Sequence, residues 1–239
     1  MANSATINQV QQTESSSDSV LTTPPRTAIA GVSGYAGGEL ARLLLRHPRF
    51  KGITPTLLGR AGEVEVGPST FLEDLHPQLA TPGNHEANEV FPFSWKRIVD
   101  SGIEILFLAT PHEQSREWVP EAIEKGIKVI DLSGAWRLKN DANRAVYRLK
   151  DANPQHAGKL QADAVYGCPE LHRNEIKQAH LVANPGCYAT SIILALAPLI
   201  QADIVDGHRV AVKLTARVQV GSTTAARVVM SDCFCDELR

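Results

Sequence analysis

The stretch that decides the fold is "TAIAGVSGYAGGELARLLLRHP", residues 27–48. A short apolar run leads into a glycine-rich turn. The residues after the turn show helical periodicity, with Leu40, Leu43 and Leu44 on one face, until Pro48 ends the pattern. A strand, a glycine turn and a helix in this order are typical of the first half of a βαβ unit.

The same alternation continues along the chain. Further strands are predicted at "ITPTLLG", "EILFLAT", "IKVIDLSG" and "LVAN", and helices at "EQSREWVPEAIEKG" and "CYATSIILALAPLI". This order predicts an α/β fold with a Rossmann-type, doubly wound parallel sheet. We expect less regular structure from Gly134 to about residue 180 and a strand within "HRVAVKLTARVQV". The last stretch, "GSTTAARVVMSDCFCDELR", predicts no packed element.

Length and composition narrow the function classes. A chain of 239 residues has room for one large domain or two modest ones, and its net charge of −2 argues against nucleic acid and anionic membranes as partners. No apolar run approaches the roughly 18–20 residues that span a bilayer. The cysteines lack zinc-type spacing and are too few for a disulfide scaffold, which predicts no metal site and a reducing, cytoplasmic setting; they are Cys168, Cys187, Cys233 and Cys235.

The glycines of the first turn have a spacing that suits a phosphate cradle. Gly31, Gly34 and Gly37 follow the first strand directly and precede the first helix. Such glycines permit a tight turn, a close approach of the backbone to a pyrophosphate, and packing of the helix on the strand. The helix N-terminus adds free N–H groups and partial positive charge. The alternative is a glycine loop that only caps the helix.

Two further segments are expected at the cofactor edge. "LLGRAG" follows the second strand and contains Arg60 where an NAD site would usually have a carboxylate. An arginine there suits a 2′-phosphate and favours NADP, unless it is simply a solvated surface residue. "LATPHEQS" leaves a buried strand, which makes Pro111 a candidate cofactor contact. His112 either faces the cofactor or caps the following helix.

Cys187 is the candidate nucleophile. It follows Asn184-Pro185-Gly186, between a predicted strand and a predicted helix. A helix start favours the thiolate, which is the reactive form, whereas an inert buried cysteine is the ordinary alternative. A thiol beside a dinucleotide cradle favours a redox enzyme that works through a thioester. A cysteine hydrolase or acyltransferase would be acylated without any dependence on the cofactor.

Taken together, these residues resemble the N-acetyl-γ-glutamyl-phosphate reductase family of the aspartate-semialdehyde dehydrogenase superfamily. The resemblance covers roughly residues 27–212. It rests on "GVSGYAGGELARLLLRHP", "FLATPHEQS", "VIDLSGAWRL", "VYGCPELHR" and "LVANPGCYATS", which occur in the family's order. It implies NADPH-dependent reduction of an acyl phosphate to a semialdehyde in arginine biosynthesis. Aminoadipate-type or aspartate-type reductases, and an inactive NADP-binding fragment, are the alternatives.

The resemblance also implies roles for individual residues. Cys187 is the acyl-accepting nucleophile. The expected cofactor-binding residues are Gly31, Ser33, Gly34, Tyr35, Ala36, Gly37, Arg60, Pro111 and Ser133. The expected substrate-binding residues are Arg137, Glu170 and Asn184. For Ser133, Arg137 and Glu170, structural capping or packing remains an equal alternative.

The C-terminal part departs from the family pattern. After "RVAVKLT" the family has a Ser- and Gly-rich loop, a general acid/base histidine and a closing helix, whereas this chain continues "ARVQVGSTTAARVVMSDCFCDELR". We therefore expect a frameshift near residues 212–214, an impaired enzyme, and homo-oligomers only for a full-length form. The expected organisation is a disordered tail at 1–26, an NADP-binding domain at 27–187 and an incomplete α+β catalytic domain at 188–239.

Overall fold

The computed structural model describes residues 23–50, 52–61, 69–80, 88–139 and 149–205, together with two strands at 212–215 and 227–230. Its strands are β1 Thr27–Ala30, β2 Thr56–Ala61, β3 Thr70–Phe71, β4 Glu89–Phe93, β5 Ile105–Leu108, β6 Lys128–Asp131, β7 Val165–Tyr166, β8 Leu181–Ala183, β9 Val212–Thr215 and β10 Arg227–Met230. Its α-helices are α1 Tyr35–Arg46, α2 Leu72–Leu75, α3 Trp95–Asp100, α4 His112–Glu124, α5 Pro154–Asp163, α6 Pro169–Gln178 and α7 Cys187–Gln201.

The first eight strands form one sheet in the order β3-β4-β2-β1-β5-β6-β8-β7. All neighbours in it are parallel except β3 and β4. The chain builds outward from β1 to β4 and then returns to place β5 on the other side of β1. This reversal is the switch point at which doubly wound sheets bind ligands. The predicted α/β fold with a Rossmann-type sheet is confirmed.

The central strands are buried because helices cover both faces of the sheet. All four residues of β1 are buried, and Leu106 and Leu108 of β5 are fully buried. One apolar cluster contains Ala28, Leu106 and residues of α4 and α5, while a second lies beneath α1. Buried parallel strands of this kind read as continuous apolar runs, which is why the sequence pattern located them.

Two regions are more regular than the sequence pattern predicts. Helices α5 and α6 and strand β7 lie between residues 154 and 178, where we expected irregular structure. Strand β10 lies in the final stretch and pairs antiparallel with β9, with Arg227 opposite Thr215. The two strands are consecutive in the chain, with residues 216–226 between them, and the apolar part of β10 is too short for the sequence pattern to predict a strand.

A buried arginine joins α4 to the segment at residues 133–137, which follows β6. Arg116 donates from Nε and Nη2 to the two carboxylate oxygens of Asp151, each at 2.7 Å. Its Nη1 donates to the carbonyl of Ala135 and to Oε1 of Gln161, and the guanidinium lies 3.8 Å from the centre of the Trp136 ring. These contacts fix segment 133–137 at the carboxyl end of β6.

A buried carboxyl group lies just before the same segment. Asp131, the last residue of β6, has no exposed surface, and it accepts hydrogen bonds from the backbone N–H and the hydroxyl of Ser133 at 3.0 and 2.8 Å. Burial raises the pKa of Asp131 above its usual range, although the bonds from Ser133 and the charge of Arg137 oppose this rise.

We predict that Asp151→Ala lowers the free energy of unfolding by about 3–5 kcal/mol, because it leaves the Arg116 charge buried without its carboxylate. The side chain of Arg116 is 1% exposed. Denaturant unfolding measures the change. The matched control is Glu121→Ala, which breaks an exposed pair with Lys125 and should cost less than about 1 kcal/mol. Equal small losses in both variants would contradict the prediction.

We also predict that the wild-type chain loses stability relative to Asp131→Asn as the pH rises above about 4. The folded pKa of Asp131 lies above the ordinary 3.8, so the folded state binds this proton more tightly than the unfolded state. That contribution is complete below the unfolded pKa and disappears as the pH passes through the folded pKa. Asparagine retains an acceptor for the Ser133 N–H. Unfolding curves at several pH values test this, and a pH-independent difference would refute it.

Candidate active site

Residues 31–37, here called the glycine loop, connect β1 to α1 at the switch point. Gly31 has a φ of +87°, and a Cβ there would lie 2.5 Å from the carbonyl oxygen of Ala109. A Cβ on Gly37 would lie 2.2 Å from the carbonyl oxygen of Gly31. The first and third glycines are therefore required by the protein's own packing.

The middle of the glycine loop faces solvent. A Cβ on Gly34 would come no closer than 3.6 Å to another atom, so the protein itself leaves room at this position. Gly34 caps α1, and Ser33, Tyr35 and Ala36 are exposed beside it. The amides of a first helical turn lack partners within the helix and attract anions. The loop has the shape and polarity of a phosphate-binding turn.

The other cofactor candidates lie at the carboxyl ends of neighbouring strands. Arg60 is in β2, beside β1, and its side chain lies outside the described part of the structure. Pro111 is exposed at the start of α4. The next residue, His112, accepts a hydrogen bond at Nδ1 from the N–H of Gly134 at 2.9 Å, so it links the ends of β5 and β6.

Ser133 is buried at the end of β6. Its hydroxyl donates to Asp131 and accepts a hydrogen bond from the N–H of Ala135 at 3.1 Å. These bonds are those of a structural turn, and they fix the backbone of segment 133–137. The side chain thus has a structural role, whatever contact it makes with a cofactor.

Residues 184–187, here called the cysteine turn, connect β8 to α7. Cys187 is the first residue of α7 and is exposed. Arg137 donates from Nε to the carbonyl of Asn184 and from Nη2 to the carbonyl of Leu132, each at 2.6 Å. A Cβ on Gly186 would lie 3.2 Å from Nη1 of Arg137. Arg137 therefore joins the cysteine turn to the end of β6.

Asn184 and Glu170 lie on adjoining segments. The N–H of Asn184 donates to the carbonyl of Asp131, which continues the pairing of β8 with β6. A Cβ on Gly167 would lie 2.9 Å from the Cα of Asn184, so the start of α6 approaches the cysteine turn closely. Glu170 is exposed in the first turn of α6.

The second described cysteine differs sharply from Cys187. Cys168 is 1% exposed, and its Sγ lies 3.5 Å from Oε2 of Glu170. Burial raises the pKa of the Cys168 thiol, and the Glu170 carboxylate raises it further. Cys168 is thus held as an unreactive thiol, while Cys187 is exposed to solvent.

Sequence reasoning missed three residues that support these loops. Arg116 and Asp131 fix segment 133–137, and His76 contacts the glycine loop at the Val32 carbonyl. Arg116 and His76 act through partners that are distant in the chain, and Asp131 acts because it is buried. The spacing of residues in a motif reveals neither a distant partner nor burial. Within the described residues, no cluster of His, Cys, Asp and Glu is arranged to hold a metal ion, and no helix has the length and apolarity to cross a membrane.

Several solved structures are similar to the chain at low sequence identity. Aspartate semialdehyde dehydrogenase II of Vibrio cholerae, complexed with ASA, has a TM-score of 0.49 and 20% identity; the match covers 74% of this chain and 46% of that one. The Candida albicans aspartate semialdehyde dehydrogenase with NADP has a TM-score of 0.49 and 13% identity, over 75% and 48% of the two chains.

Curated relatives are more similar in sequence. N-acetyl-gamma-glutamyl-phosphate reductases of Moorella thermoacetica and Methanococcus maripaludis are 36% and 41% identical over 89% and 75% of this chain. A [LysW]-L-2-aminoadipate/[LysW]-L-glutamate phosphate reductase of Sulfolobus acidocaldarius is 39% identical over 83% of it. These matches cover 57%, 48% and 51% of the respective relatives, so the chain spans about half of their length.

The family model described as "Semialdehyde dehydrogenase, NAD binding domain" matches residues 26–179. The match begins just before β1 and ends just before β8, so it contains the glycine loop and segment 133–137. It covers more than half of the chain. The chain therefore belongs to the semialdehyde dehydrogenase family and contains its NAD-binding domain.

Proposed function

We propose that the protein is, by family, an NADPH-dependent acyl-phosphate reductase that converts N-acetyl-glutamyl 5-phosphate to N-acetyl-glutamate 5-semialdehyde and phosphate. We further propose that the 239-residue chain has impaired turnover, because its sequence after residue 215 departs from the family pattern. The observation that supports the reductase activity most strongly is the position of Cys187. The exposed thiol begins α7 on a turn that Arg137 holds beside the end of β6. Because β8, β6, β5 and β1 are parallel, their carboxyl ends lie on the same side of the sheet. The cysteine turn and the glycine loop both follow such an end.

The residues of the glycine loop fit a dinucleotide. Gly31 and Gly37 bring the turn close to β5 and α1, while the space at Gly34 admits a pyrophosphate next to the backbone. The first-turn amides of α1 would hold the phosphate oxygens. Arg60, in the strand beside β1, would receive the 2′-phosphate that distinguishes NADP from NAD.

Cys187 provides the covalent step. Its sulfur attacks the acyl carbon, a C–S bond forms, and the C–O bond to phosphate breaks, so inorganic phosphate leaves with the bonding electron pair. When bound, NADPH supplies the hydride that reduces the thioester carbonyl. The C–S bond of Cys187 then breaks, the thiolate re-forms and the aldehyde leaves.

Three residues would orient the substrate beside the sulfur. Arg137 uses Nε and Nη2 on backbone carbonyls, which leaves N–H groups for a substrate carboxylate or phosphate. Asn184 directs its Nδ2 to the carbonyl of Pro185, so its Oδ1 is the atom offered to a substrate N–H. Glu170 approaches from the start of α6.

The same proposal assigns the parts of the chain. Residues 27–187 form the dinucleotide-binding domain, and residues 188–239 belong to a catalytic and dimerisation domain. We propose the cytoplasm as the location, because the substrates of amino-acid biosynthesis are small, soluble molecules. For a full-length form we propose a homo-oligomer.

A second candidate substrate is a carrier-bound aminoadipyl or glutamyl phosphate. The 39% identity to the Sulfolobus acidocaldarius reductase favours it, because that protein's name states this substrate class. The chemistry at Cys187 would be unchanged. Phosphate release from each acyl phosphate, measured side by side, distinguishes the two candidates.

We predict that Cys187→Ser abolishes a burst of phosphate release. On mixing with N-acetyl-glutamyl 5-phosphate without cofactor, the wild-type 239-residue chain should release close to one equivalent of phosphate and retain the acyl group, because hydride is needed only for the second step. Rapid-quench phosphate assay and intact mass spectrometry measure the two events. Cys168→Ser is the matched control and should retain the burst, since Cys168 is buried. A burst that survives in Cys187→Ser would contradict the proposed nucleophile.

We predict that Arg60→Ser weakens NADPH binding by about 10-fold and leaves NADH binding unchanged, because only NADPH has a 2′-phosphate for a charge-assisted hydrogen bond. Fluorescence titration with both cofactors measures the difference. Lys159→Ser, at an exposed lysine of α5, is the control for a simple loss of positive charge. Equal weakening of both cofactors by Arg60→Ser would exclude a discriminating role.

A further inference from the structure

A buried histidine contacts the glycine loop from the opposite side to solvent. His76 is 5% exposed and follows α2 directly. Its Nε2 lies 2.7 Å from the carbonyl oxygen of Val32. A carbonyl oxygen can only accept, so Nε2 holds the proton and donates it. The bond links residues that are far apart in the chain and places a side-chain donor beneath the loop.

The histidine ring also packs against the first turn of α1. A Cβ on Gly38 would lie 2.4 Å from Nε2 and 2.5 Å from Cε1 of His76. Gly38 has no positive φ, so glycine is needed here for space and not for backbone conformation. Gly38 lies outside the motif formed by the three loop glycines, and the position of His76 explains why it is a glycine.

The backbone of His76 is itself fixed. Its N–H donates to the carbonyl of Leu72 at 2.8 Å, and its carbonyl accepts from the N–H of Leu79 at 2.8 Å. Leu72 and Leu79 belong to the apolar cluster beneath α1. Burying a polar ring among apolar side chains costs folding free energy unless the ring makes a hydrogen bond. The bond to the Val32 carbonyl meets this need, and a leucine in the same space could not make it.

The bond orients an amide of the glycine loop. Val32 and Ser33 share one peptide unit, which is planar and trans, so its C=O and N–H point in opposite directions. With the Val32 oxygen held toward the buried His76, the N–H of Ser33 points away from it. Ser33 is exposed and lies just before the α1 N-terminus.

We propose that His76 is a positioning residue for the cofactor: its Nε2–H holds the Val32–Ser33 peptide so that the Ser33 N–H is presented to a dinucleotide phosphate. This proposal rests on the proposed function of the glycine loop. His76 does not touch the cofactor and acts only through the backbone.

The test is the dissociation constant for NADPH of the 239-residue chain, measured by fluorescence titration for the wild type, His76→Leu and His76→Gln. His76→Leu should weaken binding by about 3- to 10-fold, the range of one hydrogen bond. His76→Gln, with an amide N–H near the position of Nε2, should recover most of the affinity. Hydrogen exchange at residues 33–37 should quicken in His76→Leu, while exchange in β5 stays unchanged.

A second pair of variants keeps the test decisive if His76→Leu unfolds. Gly38→Ala should weaken binding because its methyl group collides with the ring, and His76→Ala should weaken it because the bond is lost. The double variant should lose less NADPH-binding free energy than the sum of the two single losses, because the methyl group added at position 38 then occupies the space left by the ring.

Each outcome has a distinct meaning. If the wild type binds no NADPH, the proposed function of the glycine loop fails and the role of His76 fails with it. If the wild type binds NADPH and a folded His76→Leu binds equally well, only the positioning role is wrong. If His76→Gln is as weak as His76→Leu and both lose affinity in parallel with thermal stability, His76 is a packing residue.

Discussion

The arrangement depends on the close approach of the β1 turn to the end of β5. Gly31, with its φ of +87°, lies so near the carbonyl of Ala109 that a side chain there would overlap it. This contact exists because the strand order reverses after β4, which places β5 on the other side of β1. The reversal opens the crevice at the switch point, and the approach brings the N-terminus of α1 to its edge.

Backbone contacts made by buried or half-buried side chains hold the rest of the crevice. Arg137 joins the cysteine turn to the end of β6, and Arg116 holds segment 133–137 through the carbonyl of Ala135. His76 plays a comparable part at the glycine loop. In each case a charged or polar side chain binds a carbonyl of a loop that has little packing of its own. The loops at the crevice thus obtain a single conformation from bonds to the scaffold.

Local pattern predicted the elements whose cause is local. The apolar run of β1, the glycine spacing and the start of α7 at Cys187 all lie where the sequence indicated. Helix α5 also has a local signal, because Asn153 caps it and Pro154 begins it, but surrounding polar residues obscured the periodicity. The need for glycine at position 38 could not be predicted, since it arises from the His76 ring, which is distant in the chain. Strand β10 was missed because its apolar run is short, although its partner β9 is the preceding strand.

The central claim is that one crevice holds both the dinucleotide and the reactive thiol. A crystal structure of the 239-residue chain with NADPH tests it most directly. We expect pyrophosphate oxygens within hydrogen-bond distance, about 3 Å, of the amides at residues 33–37, and the nicotinamide ring facing Cys187 across the ends of β5 and β6. A cofactor bound away from the glycine loop, or a nicotinamide directed away from Cys187, would contradict it.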